Sequence, residues 1–146
     1  AMDEDLRERL LNAWIGLNGY LKDSRVTQAM TYNEAVTMKL VLDQYRQDGV
    51  GRTPVQAILR KTRMLKSQVN RTVNALCRQG YLTKEKGGED ARALFVRPVP
   101  ERLADFLAVH ARSLQMAQTI IDVIGAEDAA QFVRICQRLL AAEPTL

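Results

Sequence analysis

Between Thr53 and Pro100 a run of start, stop and turn signals admits few folds: two short helices, a strand, a charged turn and a second strand. Thr53-Pro54-Val55-Gln56 predicts a helix start, with proline at the first helical position, where its missing N–H costs nothing. Val55, Ile58 and Leu59 give that helix one apolar face, and Thr62-Arg63-Met64 breaks it. A second helix is predicted from about Leu65 to Gln79, ended by Gly80 as a left-handed cap. Tyr81-Leu82-Thr83-Lys84 then reads as extended, Gly87-Gly88-Glu89-Asp90 as a turn, and Ala93-Leu94-Phe95-Val96-Arg97 as the returning strand of a hairpin.

Helical patterns flank this segment. Leu6, Leu10, Trp14, Leu17 and Leu21 recur at helical spacing from Asp3 to about Lys22. Thr31-Tyr32-Asn33-Glu34 is a capping-box signature, so a helix burying Ala35, Met38, Leu42 and Tyr45 should run to about Gln47 and stop at Asp48-Gly49. Leu103, Leu107, His110, Leu114, Ala117, Ile121 and Ile124 form a heptad seam on a long helix from Glu101 to Ile124. Gly125 interrupts it, and a last helix from about Glu127 to Ala142 presents Phe132, Ile135, Cys136, Leu139 and Leu140. The expected class is therefore mainly α with a small β-hairpin wing.

Charge separates the same regions. Residues 51–100 carry eleven Lys or Arg against three acids, a net +8, whereas residues 1–50 and 101–146 are each −2. A cationic surface on one structural unit is the footprint of a phosphate-binding face, although a solvated basic surface gives the same count. Other function classes have little to stand on. One histidine, two separated cysteines (Cys77 and Cys136) and no Gly-rich phosphate loop or nucleophile motif argue against an enzyme, a metal site, a cofactor or a disulfide framework. No apolar run approaches the roughly 18 residues that span a bilayer, and no cleavable leader is evident, so no membrane partner and a cytoplasmic location are expected. Ala1, ahead of Met2, reads as a cloning remnant.

On the helix before Gly80, Val69, Val73 and Leu76 lie within about 60° of one another, which makes them the buried side. Ser67, Arg71, Asn74, Ala75 and Arg78 project from the other side, with Gln68 on its margin. Arginine can pair bidentately with guanine, asparagine or glutamine with adenine, and serine with phosphate or base, so the set suits a major groove; a solvated polar face has the same periodicity. Lys84, Lys86 and Arg92 surround the Gly-Gly turn just beyond this helix, and an arginine at such a tip could enter the adjacent minor groove. Lys66, Lys84 and Lys86 are the expected phosphate contacts.

Lys66-Ser67-Gln68-Val69-Asn70-Arg71, Leu76, Gly80-Tyr81-Leu82 and Glu89-Asp90-Ala91-Arg92-Ala93-Leu94-Phe95-Val96 together resemble the winged-helix signature of MarR-type transcriptional regulators. The surrounding helix order fits, so the resemblance covers nearly the whole chain. It implies a winged helix-turn-helix over residues 31–100, flanked by an N-terminal dimerisation helix (2–30) and C-terminal dimerisation helices (101–146), in a homodimer that binds a pseudo-palindromic operator on double-stranded DNA as a repressor. It further implies recognition-helix contacts from Ser67, Gln68 and Arg71, a wing arginine at Arg92, and Asp90 as the carboxylate that orients it. Three positions depart from the family pattern: Ala91 replaces the first of two wing arginines, Leu65 stands where a capping Asp or Ser is common, and Pro98-Val99 replaces the usual Leu-Thr. The first helix lacks the cysteine of the oxidation-sensing members. Release by a small aromatic effector is also implied, with Trp14, Tyr20, Tyr45 and His110 as candidate contacts, although core packing is the commoner role of such side chains on apolar helix faces. The rival reading is a winged helix used as a protein-interaction adaptor without an operator.

Overall fold

Helix boundaries in this chain follow its capping chemistry. The computed structural model describes residues 5–22, 30–89 and 92–142. Helix α1 (Leu6–Leu21) starts at Asp5, whose carboxylate accepts the Arg7 backbone N–H at 2.8 Å. Helix α2 (Tyr32–Asp48) opens on the expected capping box: Thr31 Oγ1 accepts from Glu34 N at 3.1 Å, and Glu34 Oε1 accepts from Thr31 N at 2.9 Å. Gly49 ends it in the left-handed region. The Asp48 carboxylate then accepts the N–H groups of Gly51 and Val50, bonds that hold its carboxyl below the usual range together with one from Gln44.

The start of the next helix differs from the sequence expectation. Thr53 and Pro54 form a short strand, β1 (Thr53–Pro54), and α3 (Val55–Thr62) begins after it, with Pro54 as its N-cap. Thr53 caps nothing: its hydroxyl donates to Gly51 O at 2.9 Å, while its backbone pairs with Val96. Backbone pairing across the sheet and the hydroxyl bond to Gly51 O together satisfy the buried threonine, and so outcompete the local capping box. Arg63, at φ 56, ends α3 and turns the chain into α4 (Lys66–Arg78). Gly80, at φ 82, closes α4: Tyr81 N donates to Leu76 O and Gly80 N to Cys77 O, the two bonds of a Schellman motif.

Strands β2 (Leu82–Lys86) and β3 (Leu94–Pro98) form the expected hairpin, with Lys84 opposite Val96 and Glu85 opposite Phe95. The sheet order is β1-β3-β2, all antiparallel. Two residues of β1 were too short a signal to find in sequence. The approach to β1 needs glycine at position 51, because its φ is 78 and a Cβ there would sit 2.8 Å from Pro98 Cγ.

Residues up to His110 form one compact unit, and residues from Ala111 onward another. The core of the first draws Met38, Val41 and Leu42 from α2, Ile58 from α3, Val69, Val73 and Leu76 from α4, Leu82 and Val96 from the sheet, and Leu103, Phe106 and Val109 from α5 (Pro100–Ile124). Each fully buried side chain of this size contributes roughly 1.5–3 kcal/mol. Ala35 and Tyr45, expected inside, are only half-buried against this core. The heptad seam on α5 also needs amendment. Within the chain the buried side chains are Leu103, Phe106 and Val109, while seam residues Leu107 and Leu114 are exposed. The apolar arc of α5 is wider than a seam, and its own core takes one edge. In the second unit, α6 (Ala126–Ala142) buries no residue, and neither does α1 in the first. Among the described residues, no helix is long and apolar enough to cross a membrane.

Candidate nucleic-acid interface

Helix α4 divides as its periodicity demands. Val69, Val73 and Leu76 are buried, joined by Thr72, whose hydroxyl donates to Gln68 O at 2.7 Å. Lys66, Ser67, Arg71 and Arg78 are exposed. Ala75 is half-buried, and the two remaining polar members of the expected set have local partners. Gln68 is half-buried, and its Oε1 accepts the Leu65 backbone N–H at 2.9 Å. This is half a capping box, since leucine has no side-chain acceptor to return the bond. It gives the Leu65 N–H a partner at a helix start that lacks a capping Asp or Ser. Asn74, likewise half-buried, accepts from Lys84 Nζ through its Oδ1.

The Asn74–Lys84 bond shows which face of the wing looks toward α4. Side chains alternate across a strand, so Lys86 shares the Lys84 face, while Thr83 and Glu85 take the other. Gly87 N donates to Ala93 O at 2.7 Å at the base of the wing turn. Arg92 is exposed near its tip. Asp90 and Ala91 lie outside the described residues. The structure thus brings Lys84 to the recognition-type helix, with Lys86 beside it.

The central cations do not all gather on one surface. Arg52 and Arg97 both bind Glu85, the latter with Arg97 Nε 2.9 Å from Glu85 Oε2, on the sheet face away from Lys84. The Arg52 guanidinium also lies 3.5 Å from the centre of the Phe95 ring. Hydrogen bonds from Arg52 first and Arg97 second hold the Glu85 carboxyl below the usual range. These two arginines brace the sheet, so the +8 segment overstates the charge available beside α4. Hairpin register, which the sequence alone does not fix, places Glu85 and Arg97 on one face of adjacent strands.

The candidate effector contacts lie on three helices, α1, α2 and α5. Trp14 is 58% exposed and Tyr20 45%, both on α1. Tyr45 lines an open cleft of about 470 Å³ with Val50, Thr83, Arg97, Pro98 and Pro100. His110 stacks on Phe106 with ring centres 6.1 Å apart. Burial lowers the His110 pKa below its usual 6.5, helped by Lys39 and Arg46 and opposed by Asp43. Cys77 is half-buried, and burial pushes its thiol up against the opposing charge of Lys84, so it stays protonated near neutrality.

Residues 45–93, from the end of α2 to the wing, match the MarR family model. In that segment the chain is similar to the MarR family, and its fold there is a winged helix. No match is found among curated proteins. Solved structures match over nearly the full length. The PcaV transcriptional regulator from Streptomyces coelicolor, in complex with its natural ligand, superposes with a TM-score of 0.73 at 19% identity, covering 99% of this chain and 100% of that one. AbsC, a MarR family transcriptional regulator from Streptomyces coelicolor, gives 0.74 at 14% identity, with 97% of each chain covered. MepR of S. aureus, in its DNA-binding conformation, gives 0.69 at 14% identity, covering 96% of this chain and 100% of that one. At such identities the likeness is one of fold: the MarR-type arrangement of six helices and a three-stranded antiparallel sheet.

Proposed function

We propose that this chain is a dimeric transcriptional regulator that reads a pseudo-palindromic operator on double-stranded DNA and acts as a repressor. One observation carries the reading: a helix whose apolar side is buried presents Lys66, Ser67, Arg71 and Arg78 outward, beside a wing whose Lys84 bonds to that helix. Arg71 is the group suited to bidentate guanine contact, while Lys66, Lys84, Lys86 and Arg92 suit phosphate and minor-groove contact. Gln68 and Asn74 take a lesser part. A glutamine whose oxygen already holds Leu65 N is better placed to donate through Nε2 than to clasp adenine with both atoms. Asn74 positions Lys84. Asp90 keeps its proposed role of orienting Arg92.

Dimerisation through the terminal helices is supported by the apolar side chains that α1 and α6 leave exposed, among them Leu10, Trp14, Phe132 and Leu139. In a two-fold dimer on B-DNA the two α4 helices would sit about 34–36 Å apart. The effector reading rests on the Tyr45 cleft, where Arg97 and Thr83 offer polar contacts to an aromatic acid. Such a ligand would act by preferring a dimer whose helix spacing mismatches DNA.

Selection of bound sequences from a random duplex pool tests the reading. The expected product is an inverted repeat with half-sites about 10 base pairs apart, bound more weakly as salt rises. No enrichment and no retention on heparin would instead support the adaptor. Aromatic acids that alter neither melting temperature nor operator affinity would remove the effector.

A further inference from the structure

The C-terminal end of α4 is held from two sides through one residue. Gln79 Nε2 donates to Glu34 Oε2 at 2.6 Å, and Glu34 is the buried carboxylate whose other oxygen completes the α2 capping box. The backbone carbonyl of Gln79 accepts from Arg102 Nη2 at 3.2 Å, so the same residue is tied to the first turn of α5. Arg102 is itself fixed: its Nη1 lies 2.6 Å from Asp105 Oδ2, and its guanidinium carbon 4.1 Å from the centre of the Tyr81 ring. Its Nε is buried without a hydrogen-bond partner, which leaves the Tyr81 face and the two flanking bonds to compensate for desolvation. Tyr81 O in turn accepts from Val99 N at 2.9 Å, just ahead of α5.

We infer that Glu34, Gln79 and Arg102 form a clamp that sets the pitch of α4 against the roots of α2 and α5, and that this clamp is a positioning device for operator discrimination. The inference rests on the DNA reading above and adds residues that touch no DNA. Its physical basis is leverage. The N-terminal residues of α4 that face outward, Lys66, Ser67 and Arg71, lie about 12–20 Å along the helix from Gln79 at 1.5 Å per residue, so a small rotation at the clamped end displaces them most. Base contacts tolerate little displacement, whereas phosphate contacts from long lysines absorb it. Loosening the clamp should therefore reduce sequence preference and spare affinity for arbitrary duplex.

The test uses Gln79→Ala, which removes the bond to Glu34 from an exposed side chain, and Glu34→Ala with Glu34→Gln as its rescue. A glutamine at position 34 keeps an oxygen for Thr31 N and can donate to a flipped Gln79 amide. Thr31→Ala, which weakens the same helix start and leaves Glu34 in place, is the stability control. The operator-to-random affinity ratio is expected to fall roughly three- to thirtyfold in Gln79→Ala and Glu34→Ala, the span of distributed couplings, and to recover in Glu34→Gln. Affinity for random duplex and dimer mass should not change, and amide exchange over residues 76–80 should accelerate. An unchanged ratio, or an equal fall in Thr31→Ala, overturns the clamp. Wild-type protein with no operator preference would instead sink the DNA reading, and the specificity role with it. Unchanged exchange in Gln79→Ala beside an intact wild-type preference would sink the clamp alone.

Discussion

Helices α4 and α6 are both amphipathic, yet only one has its apolar side covered by its own chain. Val69, Val73 and Leu76 of α4 meet α2, α3 and the sheet, while Phe132, Ile135 and Leu139 of α6 remain about half exposed. An uncovered apolar face of this size is costly in water, so α4 is a finished surface and α6 an unfinished one. On the proposed function, the polar side of α4 serves recognition and the apolar side of α6 serves assembly.

The contrast can be broken at its strongest point first. Phe106→Ala should remove about 3–5 kcal/mol from the first unit, because that ring is 1% exposed, and chemical unfolding would measure it. A loss below about 1 kcal/mol would mean that the winged-helix core does not stand on its own packing. Leu139→Asp should act in the opposite way, leaving thermal unfolding of a monomer little changed while costing association roughly 2 kcal/mol per copy. Light scattering that showed an unaltered dimer would remove α6 from the interface. Arg71→Ala sharpens the role of the finished surface: operator preference should drop by about 1–3 kcal/mol, with random-duplex binding much less affected. Equal losses on both DNAs would make Arg71 a phosphate contact. Thr31→Ala should cost about 1 kcal/mol through loss of the N-cap, read as a lower melting temperature without loss of specificity.

The smallest expected effect concerns pH. His110 is held below its usual pKa of 6.5 by burial and by Lys39 and Arg46. The unfolded chain therefore takes up a proton first as pH falls, and stability that is complete above pH 6.5 declines as pH drops from there toward the folded value. His110→Gln should flatten that decline by a fraction of a kcal/mol. A decline of the same slope in both proteins would assign it to other groups.

Most of the helical frame was legible because caps are local. Thr31 and Glu34 announce α2, Gly49 and Gly80 end their helices, and the buried stripe of α4 follows from spacing alone. Strand β1 was not legible, since a two-residue strand has no period and its pairing with Val96 comes from 43 residues away. Phe106 was missed because α5 has a broad apolar arc, and only its neighbours decide which part is inside. At the candidate interface, Ser67, Arg71 and Arg78 are exposed as the spacing predicts, whereas Asn74 and Ala75 on the same face are half-buried. The Arg52–Glu85–Arg97 brace and the Asn74–Lys84 bond were not legible, since charge counts carry no facing information.

The amino-acid sequence by itself determined where the helices start and stop, the start of α3 excepted, and which side of α4 is apolar, because both depend on contacts within a few residues along the chain. Only the tertiary structure decided which cations face α4 and which brace the sheet, and that Gln79 joins α2 to α5. Those outcomes depend on pairings between residues 10 to 45 positions apart, whose geometry exists only after the core has formed.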